Sequence, residues 1–227
     1  MQAILGLSGW ETGIWAIPRS HPCWRLSLQD PLVEQPIRKE SVRRHLNHYR
    51  RQGGAHLHRV IEAERWQDVR SVFFEHHTAR QLRAGRAAPF QDPQKRAFLD
   101  ALFAQAGASV HFTILTVAGR AIAQHYGFVW RDVLYWGAPA FDPLEQKHSP
   151  GQLLLALLCQ HARESHLHSI DFTLGEEDFK RRFGNECVQL PSVDLYGQAP
   201  RFLLRKVRDR SVSTLKLLAS AVASRAR

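Results

Sequence analysis

Residues 109–138 constrain the fold of this chain more than any other stretch. SVHFTILTV (109–117) is rich in β-branched and aromatic residues, and Ala118-Gly119-Arg120 supplies a tight turn. AIAQHYGFVW (121–130) returns, Arg131-Asp132 turns again, and VLYWGA (133–138) makes a third run. Apolar runs separated by such short turn signals pair as an antiparallel meander. Ser149-Pro150-Gly151 then opens a helix, QLLLALLCQHARES, and HSIDFTL (168–174) reads as a strand buried on one face. A helix linking two strands of one sheet is a crossover, so those strands run parallel. Meander plus crossover gives a mixed sheet, and the fold class is α/β (α+β) with flanking helices on both faces.

The chain before the meander reads as helices around one further strand. KESVRRHLNHYRRQ (39–52) is a basic helix stopped by Gly53-Gly54, and AHLHRVIE (55–62) is a strand. Residues 64–83 carry apolar positions at helical period. Asp92 and Pro93 sit as N-cap and first residue of another helix, with Phe98, Leu99, Leu102 and Phe103 facing inward. Residues 1–38 read as irregular, broken by Pro18, Pro22, Pro31 and Pro36, with Leu26 and Leu28 suiting one edge strand. After the crossover strand come a short charged helix, EEDFKRRF, one or two strands in 187–207, and an amphipathic helix over 209–227. The expected division is 1–38, the remnant or edge of an incomplete N-terminal half, and 39–227, the folded domain.

Composition excludes several classes. Of 227 residues, 44% are hydrophobic and 23% charged, the balance of a globular protein with a core large enough to need no staple. Cys23, Cys159 and Cys187 are odd in number and far apart, which argues against disulfides and fits a cytoplasmic location. No uncharged apolar run is long enough to span a bilayer, and residues 1–18 lack the basic start of a signal peptide. The net charge of +10 suits a polyanionic partner or an unspecialised basic surface. The basic helix (Arg43, Arg44, Arg50, Arg51) fits the same two readings. The C-terminal helix, with Lys216 and Arg225, suits either peripheral contact with an anionic membrane or packing on the sheet. His56/His58, His76/His77 and His166/His168 are close pairs with no completing ligand, so no metal is expected.

Two places carry chemistry. A helix start offers unpaired N–H groups and a partial positive charge, a natural phosphate seat. Ser149 as N-cap would leave the amides of Gly151, Gln152 and Leu153 for it, with Lys147 and His148 supplying charge. The same signal also suits a capped helix with no ligand. Asp171 lies mid-strand between apolar neighbours, so it must find a partner, with Lys180 a candidate, or face a cleft.

One ordered run of motifs carries a resemblance. Gly119 with Ala121-Ile122-Ala123, then Asp142-Pro143, then Ser149-Pro150-Gly151 with Leu153-Leu154, then Asp171-Phe172 with Gly175, Phe179 and Lys180, lie in order. Their course resembles the GNAT acyltransferase superfamily, and the likeness covers roughly residues 40–210. The likeness is to CelD-type acetyltransferases of cellulose and exopolysaccharide synthesis, which in turn resemble Fem-type aminoacyl transferases. The resemblance implies acyl transfer from acetyl-coenzyme A or another acyl-coenzyme A to a small-molecule or sugar acceptor. It implies diphosphate binding at Lys147, Ser149, Gly151, Gln152 and Leu153. It also implies a splay between the third meander strand and the strand after the crossover, with Gly137 offering an N–H to the thioester carbonyl. Asp171 is then the candidate base, with Asp142, Glu176, Glu177 and His125 as further candidates, Tyr135 the acid toward the leaving thiolate, and Lys180 the partner of Asp171. The family's glycine-rich loop is replaced by Gln146-Lys147-His148-Ser149-Pro150-Gly151. That departure admits another donor, including aminoacyl-tRNA by the Fem likeness, or a non-catalytic binding scaffold.

Overall fold

The computed structural model describes residues 13–30 and 38–209. They form strands β1 (Trp15–Ser27), β2 (Ala55–Val60), β3 (Val110–Val117), β4 (Arg120–Trp130), β5 (Val133–Phe141), β6 (Ser169–Leu174) and β7 (Glu186–Tyr196). The helices are α1 (Glu40–Arg50), α2 (Ala63–Arg83), α3 (Pro93–Gln105), α4 (Pro150–Glu164) and α5 (Asp178–Phe183). The seven strands lie in the order β2-β3-β4-β5-β6-β1-β7. Pairs β2/β3, β3/β4, β4/β5 and β6/β1 are antiparallel, and β5/β6, joined through α4, is parallel. This is the mixed sheet the meander and crossover require.

Local chemistry sets the turns and caps. Ala118 and Gly119 (φ 48° and 78°) link β3 to β4, and Arg131 and Asp132 (φ 49° and 59°) link β4 to β5. Two successive left-handed residues give the turn whose twist matches paired strands. Asp92 caps α3 by accepting from the Gln94 N–H at 2.9 Å, with Pro93 beside it, as the sequence predicts. Phe98, expected inward, is 62% exposed, because Leu99 and Phe103 take the inner stripe and Phe98 lies a full residue's rotation from Leu99.

The chain divides into two compact units. The larger, Cys23–Val188, has one apolar layer on each face of its sheet. Leu153, Leu154 and Leu158 of α4 and Val42 and Tyr49 of α1 pack with Leu115, Ile122, Leu134, Ile170 and Phe172. Trp66, Phe73 and Phe74 of α2 and Phe103 of α3 pack with Phe112, Ile114 and Tyr126 on the other face. The smaller unit takes the two chain ends, of which 13–22 and 189–209 are described. In it Arg19 bonds Asp194 at 2.9 Å and Asp209 at 2.5 Å, and Phe202, on helical residues 199–209, meets Trp15 and Tyr196.

The chain ends correct the sequence reading. Residues 15–27, expected to be irregular with one edge strand, form a strand lying between β6 and β7, and the larger unit begins at Cys23. Its register with β6 starts at Cys23, after Pro18 and Pro22, so neither proline removes a bond from that ladder. Residues 186–196 make one strand and 199–209 turn helical. The rest of the helix expected over 209–227 lies outside the described residues.

Candidate functional site

β5 and β6 run side by side for three residue pairs, Val133–Ser169, Leu134–Ile170 and Tyr135–Asp171. A bulge then breaks β5: Trp136 and Gly137 together face Gly127 of β4, between the pairs Phe128–Tyr135 and Tyr126–Ala138. Thr173, with left-handed backbone (φ 60°), ends the straight part of β6. The last link across the gap is a 3.4 Å bond from Thr173 Oγ1 to the Trp136 carbonyl. Ladder pairing of the two strands therefore stops where the splay is expected, and the bulge includes Gly137.

Beyond the splay lies a cleft of about 370 Å³. Trp136, Pro139 and Phe141 of β5, Leu155 of α4, and Phe179 and Phe183 of α5 make its apolar walls. Its polar groups are the first turn of α4 (Ser149 to Gln152), Gln146 before it, and Arg80 of α2. That size and that mix of walls suit a small-molecule site. No carboxylate or imidazole is among its described lining residues.

Three of the six residues expected to bind the donor line this cleft: Ser149, Gly151 and Gln152. Ser149 caps differently from the expectation. Its backbone is left-handed (φ 46°) and its side chain makes no cap bond. Its carbonyl takes the N–H groups of Gln152 and Leu153 at 3.0 and 3.2 Å, leaving Gly151 as the first-turn amide not so engaged. A Cβ on Gly151 would meet only Phe141 Cδ1, at 3.5 Å, so the space there is open. Leu153 turns its side chain fully into the core. Lys147 is exposed in a 3-10 turn (Pro143–His148) outside the lining, beside His148, which stacks on His48 of α1 at 3.5 Å. Gly137 also lies outside the lining, and its N–H donates to His125 Nε2 at 3.2 Å. The bulge that was expected to free this amide instead aims it at a buried ring.

Two of the expected catalytic residues, Asp171 and Lys180, are engaged by other groups. Asp171 is buried and pairs with Arg25 of β1 at 2.9 Å, not with Lys180. It also accepts from Cys23 Sγ at 3.0 Å and from the Thr173 N–H at 2.8 Å. Burial, reinforced by Asp171, pushes the Cys23 thiol up to about 11. Lys180, 3% exposed, donates to the Leu174 carbonyl at 2.6 Å and reaches Thr173 O at 3.4 Å and Glu177 at 3.0 Å. It ties down the loop between β6 and α5. For Glu177, burial works to raise the pKa, but the bond and charge of Lys180, a backbone hydrogen bond and the charge of Arg86 together outweigh it, and the net shift is downward. Asp142 caps the Leu144 N–H at 2.9 Å and pairs with Arg120. His125 is fully buried against Trp136 (4.4 Å, stacked), and burial, then His111, drive its pKa well down. Tyr135 is half-buried at the mouth of the splay, opposite Asp171.

The sequence reading missed Arg80. Its Nη1 donates to the Pro139 carbonyl at 3.4 Å, and its guanidinium lies 5.9 Å from the centre of the Phe141 ring. Burial, then repulsion from Arg86, lowers its pKa, and Glu177 acts weakly against them. Nothing in its neighbours, Ala79 and Gln81, marks it, since only the packing of α2 brings it to the cleft.

Among the described residues no helix is long and apolar enough to cross a membrane, and no group of three His, Cys, Asp or Glu side chains could hold a metal. No curated protein matches the chain. Solved structures share its fold at low identity. The C-terminal domain of a protein provisionally named a lysylphosphatidylglycerol synthetase, from Agrobacterium fabrum, superposes with a TM-score of 0.55 at 14% identity, over 89% of this chain and 67% of that one. L-PGS from Bacillus licheniformis gives 0.55 at 9%, over 91% and 68%. FemX gives 0.52 at 10%, over 75% and 59%. The chain thus spans about two thirds of the length of these structures or somewhat less. The family described as "Acetyltransferase (GNAT) domain" matches residues 37–181, well over half of the chain. The chain belongs to the GNAT acetyltransferase domain family.

Proposed function

We propose that this chain moves an acyl group from an acyl-coenzyme A donor to an amine or hydroxyl acceptor, a cell-envelope or exopolysaccharide precursor by the CelD-like motif run. The observation that carries this is the splay of β5 from β6 opening onto the first turn of α4 in one cleft. The thioester arm fits between the splayed strands, and the diphosphate fits against the Gly151 amide and the positive end of α4. Tyr135 at the mouth of the splay is the proton donor to the leaving thiolate. With both its oxygens engaged, Asp171 serves together with Lys180 to hold the end of β6 in shape. The acceptor's proton then leaves to water or to a group on the acceptor, since no described residue of the cleft walls is a base.

An aminoacyl-tRNA donor is the second reading. Its support is the exposed arginines of α1 and its end, Arg43, Arg44, Arg50 and Arg51, none in an ion pair among the described residues, on the helix whose His48 stacks on His148 just before α4. A basic surface of that kind suits a phosphate backbone.

Calorimetric titration with acetyl-coenzyme A, at moderate and at high salt, tests the first reading. The expected result is saturable binding that survives salt and weakens at least tenfold in Gly151→Trp, whose indole fills the open space beside Phe141. Binding that is absent, or that vanishes with salt, sinks the coenzyme A donor and moves the test to aminoacyl-tRNA.

A further inference from the structure

We propose that Arg80 is the anion anchor of the cleft and that the ligand held there presents a phosphoryl group to it. Arg80 makes no ion pair among the described residues, yet it stands in a cleft whose other walls are mostly aromatic and aliphatic. A guanidinium cannot shed its charge, so a site like this carries a desolvation cost with no internal partner to offset it. Among the described residues that cost is relieved only in part. The Pro139 carbonyl, at 3.4 Å, takes one of the five N–H groups, and Glu177 acts only through space while held by Lys180. The missing counter-charge therefore belongs to the ligand.

The surroundings favour phosphoryl oxygens over a carboxylate. Arg80 and Gly151 both lie against the Phe141 ring, the guanidinium 5.9 Å from its centre and the glycine with open space up to the ring edge. An anion on that ring meets a planar fork on one element and a helix-end amide on another. A tetrahedral, oxygen-rich group presents its oxygens in several directions and so serves both at once, whereas the two oxygens of a carboxylate lie close together in one plane. Arg80 thus replaces, from α2, the charge and the amides that the loop before α4 fails to offer: Lys147 lies outside the cleft, and Ser149 takes the amides of Gln152 and Leu153. This deepens the donor reading above, on which only its acetyl-coenzyme A arm rests.

The test is calorimetry on the wild type, Arg80→Met, Arg80→Gln and Arg80→Lys. The probes are inorganic pyrophosphate, acetyl-coenzyme A and acetyl-pantetheine, which lacks every phosphate. Pyrophosphate is expected to bind the wild type saturably, at least tenfold more weakly to the Met and Gln variants, and in between to the Lys variant. Acetyl-pantetheine is expected to bind all four alike. A tenfold loss for acetyl-coenzyme A in the Met variant supports Arg80 as the anchor of the donor's phosphates. Loss for pyrophosphate with acetyl-coenzyme A unchanged also supports the anchor, and assigns the phosphoryl group to the acceptor. Loss for pyrophosphate with no acetyl-coenzyme A binding to any form keeps the anchor and sinks the donor reading. Pyrophosphate that binds all four forms equally, or does not bind the wild type, overturns the proposal. Should Met at this position unfold the chain, as a melting curve reveals, Gln keeps the bond to Pro139 and carries the comparison.

Discussion

A carboxylate between apolar neighbours in a strand invites a catalytic reading, and Asp171 shows how partners decide otherwise. Each of its oxygens already accepts, from Arg25, Cys23 and the Thr173 N–H. Bonds to a buried charge are worth more than neutral ones, and removing one partner leaves the other unsatisfied. Asp171→Asn and Arg25→Met are each expected to cost about 2–3 kcal/mol in urea denaturation. The double variant is expected to cost much less than the two added together, since the second change removes a group the first has already orphaned. Additive losses would show that the two side chains act independently. The pairing could not be read from the sequence, because Arg25 lies 146 positions away on a strand that its prolines disguise. Lys180 misled for the opposite reason: near in sequence, it pairs with Glu177 and the carbonyls of its own loop.

At the scale of elements, what was legible was local. The meander turns, the Asp92 cap and the crossover helix follow from a few adjacent residues each, so they fold as they read. The bulge on β5 was legible as a place, through Gly137, and not as a contact, because the group it packs against sits on the neighbouring strand. Gly127 there has no room for a Cβ, which would come within 2.3 Å of both the Tyr135 carbonyl and the His125 ring. Backbone cannot yield as a side chain tip can, so Gly127→Ala must shift β4 from β5. A loss of about 1–3 kcal/mol is expected, the range for overpacking a filled interior. Because the same shift moves Trp136 and the splay, acetyl-coenzyme A binding should weaken in step with stability. Full stability in Gly127→Ala would show that the bulge tolerates a side chain. Arg80 marks the limit of local reading: a cation becomes a site only when α2 lays it beside β5 and the start of α4.

For the larger unit as a whole, three buried histidines set how the fold responds to acid. His77 packs against Phe73 and Phe90 on the α2 face, while His111 and His125 lie on the face covered by α4. Burial, then Arg80, lowers the pKa of His77 to about 4; burial, then Arg59, lowers that of His111 to about 3; that of His125 falls well below the ordinary value. All three are therefore neutral in the folded chain near neutrality. An unfolded histidine takes its proton near pH 6.5, so below that the unfolded state holds more protons than the folded one. The sign follows: the contribution is complete above pH 6.5 and is lost as pH falls toward 4 for His77 and 3 for His111. Each histidine removes about 1.4 kcal/mol per pH unit inside its window, and three together are comparable with the whole stability of a domain within two units. Urea denaturation across the range should show stability falling steeply below pH 6.5. His77→Leu is the cleanest probe, since its ring sits among phenylalanines and its Nδ1 has no partner. The variant should match the wild type within about 1 kcal/mol at pH 8, because it exchanges one buried uncharged group for another. Its slope between pH 6 and pH 4.5 should be shallower by about 1.4 kcal/mol per unit. An unchanged slope would mean that His77 takes up its proton in the folded chain as readily as in the unfolded one, and the acid sensitivity would then rest on His111 and His125.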